Sequence, residues 1–371
     1  MLRRGSTAIV WTLASTLLLM TSVPAEALSI PAKFVKLAGS KTLAHPGIIV
    51  IDPMTNQTIY SVAPDVERAP ASVLKLFSMS TVLNALSPDL VFGTSLSETA
   101  DPSTFVLEGS KDPWITTSPF EAATYQRAFS PSLINRMLEL HPRLKSITLE
   151  YSNLYTLDIT ALQHYFAGRL TIYPLRVASS EDATTTIASI HSPLLSKIID
   201  FTLLYSDNAL ADRLSRIAAH AMGFTTDSVG LQAAFEKTLT DLGVSPVGLR
   251  IYDGNGLSHH TRVTVRQVAD LLLAIRSNPK YAVILEGLPT SGETGTLRNR
   301  FVNDAPNAVG LVHAKTGWID NTVSLAGFVT VGPNEYVFAI VANHIRNLES
   351  ARQAARVTID QMLGTIAKPQ K

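Results

Sequence analysis

Two blocks of β-branched residues stand at opposite ends of this chain with helix-patterned sequence between them, and no other feature constrains the fold as tightly. At the front, Gly47-Ile48-Ile49-Val50-Ile51-Asp52 and Thr58-Ile59-Tyr60-Ser61-Val62 flank the turn-rich Pro53-Met54-Thr55-Asn56-Gln57, which reads as a β-hairpin. At the back, residues 323–330 and 336–343 read as strands around Gly332-Pro333-Asn334. A last helix over about 348–363 follows, and its Ala-rich face with Val357, Ile359 and Met362 suits a sheet surface. One sheet assembled from both termini is the expectation.

Between the ends, residues 72–85 carry Leu74, Leu76, Phe77, Met79, Val82 and Leu83 with no clear polar face, so this helix is expected to be buried on most sides. Pro70 just upstream suits its start. From about 89 to 190, strands at 104–107 and 146–151 alternate with helices at 131–140 and 159–166, which reads as a modest α/β insertion. Further helical stretches are expected at 193–220, 230–242 and 264–275. The 371 residues are 46% hydrophobic and 16% charged, enough for a large core in two domains or in one with insertions. The expected organisation is a targeting segment over 1–27 and a single folded unit over 28–371 with a reduced insertion at about 89–190.

Arg3 and Arg4 precede an apolar run from Ala8 to Val23 that ends at Pro24-Ala25-Glu26-Ala27, the order of a secretory signal cleaved after Ala27. The run falls short of the roughly 20 apolar residues that span a bilayer, so no integral membrane segment is expected after cleavage. The adjacent arginines leave the export route open between the general and the twin-arginine pathway. Lys plus Arg total 31 against 30 Asp plus Glu, so no basic excess is available for nucleic acid. The absence of cysteine excludes disulfides, thiolate metal sites and a thiol nucleophile. The nine histidines, His259-His260 included, form no metal-binding pattern, so neither a metal nor a cofactor is expected.

Oxygen and nitrogen groups remain to carry chemistry. Ser72-Val73-Leu74-Lys75 puts a hydroxyl and an amine on one helix face, where a lysine kept neutral by burial beside another cation can take the hydroxyl's proton. A second such spacing, Ser277-Asn278-Pro279-Lys280, holds a proline in a turn-like context and reads as structural. Ser206-Asp207-Asn208 interrupts an apolar helical pattern, as an N-cap or turn also would. Lys315-Thr316-Gly317 closes an apolar run, with a glycine that lets a ligand backbone come close or else an ordinary strand end. Asp253-Gly254-Asn255-Gly256 reads as a tight turn with both glycines free to take positive φ. Asp112 reads as a turn residue, and Arg298 as a cleft residue or a structural ion pair.

In this order, Ser-x-x-Lys, Ser-Asp-Asn and Lys-Thr-Gly resemble the active-site serine penicillin-recognising enzymes. Within them the chain is most similar to the D-alanyl-D-alanine carboxypeptidase/endopeptidases, the class C low-molecular-mass penicillin-binding proteins. That resemblance runs through Arg68-Ala69-Pro70-Ala71-Ser72, Gly109-Ser110-Lys111-Asp112-Pro113, Ser206 to Asp212, Asp253-Gly254-Asn255-Gly256-Leu257-Ser258 and Gly295-Thr296-Leu297-Arg298-Asn299-Arg300.

The resemblance implies an α+β fold of the β-lactamase/transpeptidase type, an antiparallel sheet with helices on both faces beside a mainly helical lobe, with a small inserted α/β region. It implies Ser72 as nucleophile, Lys75 as general base and Ser206 as proton relay to the leaving amine. Asn208 would bind the substrate amide, Lys315 would support the electropositive site and Thr316 would hold the substrate carboxylate. The N–H groups of Ser72 and Trp318 would form the oxyanion hole. The implied substrates are peptidoglycan stem peptides, with β-lactam antibiotics as covalent inhibitors and a periplasmic or extracellular place of action. The chain departs from the family in Trp318, where a small hydroxylated residue usually follows Lys-Thr-Gly, and in the shorter stretch between the first two motifs. A serine β-lactamase is the first rival, although no Glu-x-x-Leu-Asn arrangement stands between Ser72 and Ser206. A non-catalytic wall-binding relative is the second.

Overall fold

The computed structural model describes residues 28–370; the expected signal over 1–27 lies outside the described residues. In chain order the elements are α1 (Ala32–Ala38), β1 (His45–Asp52), β2 (Gln57–Val62), α2 (Leu74–Ala85), β3 (Gly93–Glu98) and β4 (Thr104–Gly109). Then come α3 (Pro119–Tyr125), α4 (Pro131–Leu140), β5 (Ser146–Ser152), α5 (Thr156–Phe166), β6 (Thr171–Arg176) and β7 (Thr186–His191). Helices α6 (Leu195–Leu204), α7 (Asn208–Ala221), α8 (Ser228–Asp241), α9 (Val265–Arg276) and α10 (Ala282–Glu286) follow. Strands β8 (Val312–Ile319), β9 (Thr322–Val331) and β10 (Asn334–Asn343) lead to α11 (Glu349–Gly364).

The two ends of the chain do build one sheet, five-stranded and antiparallel throughout in the order β2-β1-β10-β9-β8. In β1, side chains alternate between two fully covered faces. Ile49 and Ile51 join the core with α2 and α9, and Ile48 and Val50 join the core with α1 and α11. Burying such a side chain is worth roughly 1.5–3 kcal/mol, so sandwiching the sheet between helices stabilises it from both faces. Every residue of α2 from Leu74 to Leu83 is buried, which is why its sequence lacks a polar face. Its interior hydroxyls turn onto backbone carbonyls, Ser80 onto Leu76 and Ser78 onto both Leu74 and Gly254.

The segment between α2 and α6 adds a second five-stranded sheet, β6-β5-β4-β3-β7, parallel through β4, β5 and β6 and antiparallel elsewhere, with a hydrophobic cluster of its own. The stretch expected as one helix over 193–220 is two, α6 and α7, broken at Ser206. That residue adopts φ 59°, and Asp207 caps the new helix by accepting from the Leu210 N–H at 2.8 Å. Among the described residues no helix is long and apolar enough to cross a membrane.

Candidate active site

Three elements bring the expected residues to one cleft of about 1120 Å³, whose lining includes Ser72, Ser206, Asn208, Thr316, Gly317 and Trp318. Ser72 sits on the 3-10 turn Ala71–Val73 that leads into α2, one turn ahead of Lys75. Ala71 beside it is fully buried and held at φ 51°, and Ser206 opposite is also left-handed. Such backbone costs a non-glycine residue about 1 kcal/mol or more, so the surrounding packing maintains strain on both sides of the cleft.

The Lys75 amine meets three oxygens: Ser72 Oγ at 2.8 Å, Asn208 Oδ1 at 2.7 Å and the Asn255 carbonyl at 2.9 Å. The amide and carbonyl oxygens only accept, so Lys75 must donate to both. A neutral amine has two N–H bonds for those acceptors and one lone pair left for the Ser72 hydroxyl. Burial supplies the neutrality, lowering the Lys75 pKa from 10.5 to about 7 against the opposing attraction of Asp207 and Asp253. The arrangement can therefore take a proton from Ser72 at neutral pH.

Lys315 on β8 is fully buried and donates to Ser206 Oγ at 2.8 Å and to the Thr316 carbonyl at 2.9 Å. Burial, and then the charge of Lys75, hold its pKa well below the usual lysine value. The Thr316 hydroxyl pairs with that of Thr296 at 2.8 Å. Lys315-Thr316-Gly317 thus stands inside an edge strand rather than at its end. On that strand the Val312 and Ala314 N–H groups point away from β9, to Ser291 Oγ and the Pro289 carbonyl. Strand alternation then aims the Thr316 and Trp318 N–H groups at the same open edge. Ser72 lies along it, its backbone nitrogen only 2.9 Å from where a Cβ on Gly317 would stand.

Of the remaining expectations some hold and some are corrected. Gly256 takes φ 84° as expected, but Gly254 does not have a positive φ; it is glycine because a Cβ would meet Ser215 Oγ at 2.4 Å. Arg298 is exposed and has no ion pair among the described residues, whereas Arg300 reaches the cleft wall and pairs with Asp360 at 2.5 Å. His259 lines the cleft, its ring 3.7 Å from the Asp320 carboxylate, and no metal-holding cluster exists among the described residues. Asp112 behaves as a turn residue, accepting from the Trp114 N–H and from Ser192 Oγ, and burial raises its pKa. Lys280 of the second Ser-x-x-Lys donates to the Asn84 carbonyl, away from the cleft. The sequence reading missed the Asn255 carbonyl and the Thr296 hydroxyl as site groups, although each stands in a motif it quoted.

The edge of this sheet thus faces a serine and two buried lysines in one cleft. A profile of the D-Ala-D-Ala carboxypeptidase 3 (S13) family matches residues 167–366, and the chain belongs to that family. It is 30% identical over 187 residues to carboxypeptidase DacB of Mycolicibacterium smegmatis, covering 49% of this chain and 39% of that one. It is 37% identical over 155 residues to a D-alanyl-D-alanine carboxypeptidase of Actinomadura, covering 40% and 28%. The chain thus matches well under half the length of these relatives. In fold it is similar to penicillin binding protein 4 (dacB) of Haemophilus influenzae, with TM-score 0.72, 16% identity and coverage of 90% of this chain and 98% of that one.

Proposed function

We propose that this protein is an exported serine D,D-peptidase that cleaves the D-Ala-terminated stem peptides or the cross-links of peptidoglycan through an acyl-enzyme. The observation that carries the reading is the placement of the buried Lys75 amine 2.8 Å from Ser72 Oγ, where burial lowers its pKa to about 7 and lets its neutral form take the hydroxyl's proton. Ser72 Oγ attacks the D-Ala carbonyl as its proton passes to Lys75 Nζ. The oxyanion gathers against the N–H groups of Ser72 and Trp318. The C–N bond then breaks, and the proton reaches the leaving amine through Ser206, which Lys315 holds. Asn208 binds the substrate amide and Thr316, paired with Thr296, the carboxylate on the leaving side. Water attacks the ester in the second half-reaction and returns the proton, regenerating Ser72. A β-lactam would follow the first half and stop at the adduct. No step calls for a metal or cofactor, and the place of action would be the periplasm or the cell wall.

Family membership supports the reaction class, and the likeness to a β-lactam-complexed Haemophilus influenzae structure supports the fold on which such an adduct forms. The test is incubation with a purified stem pentapeptide and with a cross-linked muropeptide dimer. Release of D-Ala or conversion of dimer to monomer, abolished by Ser72→Ala, is expected. Failure on both substrates, with rapid turnover of a β-lactam instead, would replace the reading with that of a β-lactamase.

A further inference from the structure

The side chain of Trp318 has no counterpart in the chemistry just derived, which uses only its N–H. It stands 55% exposed in the cleft, yet the Arg352 and Arg356 guanidinium groups lie over its ring at 5.5 and 5.3 Å. Both arginines come from α11 and are themselves held by one carboxylate, Glu349, at 3.0 and 2.8 Å. Arg352 also donates to the Asp320 carbonyl at 2.9 Å, in the turn that joins β8 to β9, and to Asn347 Oδ1 at 2.6 Å. The end of β8 is therefore gripped twice from the same helix, once by the Trp318 ring and once by the turn backbone.

β8 is an edge strand, with β9 on one side and the cleft on the other. Nothing in the sheet itself holds the open side of its last residues, and there the Trp318 N–H must meet developing charge to within about half an ångström. The opposite donor has its own brace. Asn343 accepts from the Ala69 N–H at 2.9 Å and donates to its carbonyl at 3.0 Å, and Ser324 donates to the Pro70 carbonyl at 2.7 Å, just ahead of Ser72.

Resting on the proposed acyl-transfer reading, we infer that Trp318, Arg352, Arg356 and Glu349 form a clamp that fixes the Trp318 N–H in the oxyanion hole. The arginines and the indole are positioning residues: they act on the rate of bond formation through the backbone donor and not through contact with the leaving group. A penicillin and a peptide develop the same oxyanion but carry different leaving groups, which separates this role from that of a specificity wall.

The experiment measures acylation by a labelled penicillin and turnover of a stem pentapeptide in the full chain carrying Trp318→Ala, Trp318→Phe or Arg352→Gln with Arg356→Gln. Trp318 is half exposed, and a thermal melt on each variant checks that the fold is intact. The clamp predicts that Trp318→Ala and the double arginine variant lose about tenfold or more in acylation by both compounds, a fraction of the 10²–10³ that deleting an oxyanion donor costs. The loss falls in kcat, with KM little changed. Trp318→Phe, which keeps an aromatic face for the arginines, recovers most of it. Unchanged penicillin acylation with reduced peptide turnover would overturn the inference in favour of a wall against the leaving group, and so would full rates on both compounds. A wild-type protein that forms no adduct at all would instead strike the acyl-transfer reading on which the inference rests.

Discussion

The neutral state of Lys75 fixes how acylation must respond to pH, and Asp207 offers a way to move that response. Burial brings the Lys75 pKa to about 7, while Asp207 and Asp253 pull it upward by stabilising the ammonium. If the neutral amine is the base, the acylation rate follows its fraction, half-maximal near pH 7 and falling about tenfold per unit below it, or about 50-fold between pH 7 and pH 5. Asp207→Asn removes one attracting charge and keeps an oxygen for the Leu210 N–H, so the cap of α7 survives. The ammonium loses a stabilising partner, and the midpoint must shift to lower pH. Each unit of that shift raises the rate at pH 5 about tenfold while leaving the alkaline plateau unchanged. The assay is the rate of covalent adduct formation with a labelled penicillin between pH 5 and 9, read by intact mass. A wild-type midpoint near the ordinary lysine value, or an upward shift in Asp207→Asn, would refute the assignment of Lys75 as a base tuned by burial.

Other consequences follow from the same geometry. Gly317→Ala would set a methyl 2.3 Å from Ser324 Oγ and 2.9 Å from the Ser72 nitrogen, so acylation should drop by about 100-fold or more, as for loss of an oxyanion donor, and adduct kinetics would register it. Lys315 has a depressed folded pKa, so the unfolded chain binds more protons between that value and 10.5, and stability rises with pH across that window. Lys315→Met should flatten the slope by up to about 1.4 kcal/mol per pH unit in denaturant titrations while abolishing peptidase activity. Thr296→Val removes the partner of the Thr316 hydroxyl, and a loss near 1 kcal/mol predicts about a fivefold rise in KM for the pentapeptide with kcat nearly unchanged.

What could be read in advance was whatever the side chains themselves declare. Ser72 and Lys75 declare their shared face by spacing, and the β-branched runs at 47–62 and 323–343 declare one sheet by their alternation. The polar Ser206-Asp207-Asn208 declares an interruption, and Asp207 is the N-cap there, but Leu203, Leu204 and Leu210 keep a helical period across it and the left-handed backbone of Ser206 has no signature in composition. The Asn255 carbonyl has no side-chain signature because it serves Lys75 through backbone, in a turn where a Cβ on Gly256 would meet the Ala71 carbonyl at 2.0 Å. Strands β3 and β6 carry weak signals because Gly93–Glu98 has one large apolar residue and Thr171–Arg176 contains Pro174; the neighbouring strands, not local propensity, hold them in the sheet. The arginine grip on Trp318 joins residues of β8 and α11 that only the packing of that helix on the sheet brings together.

The central claim is that Ser72 becomes acylated. Incubation of the purified protein with a labelled penicillin, followed over time by intact mass, tests it directly, with Ser72→Ala as control. A long-lived adduct of the drug's mass, mapped to Ser72 and absent from the variant, is the predicted result. No adduct on the wild type, or one that persists in Ser72→Ala, would contradict the account.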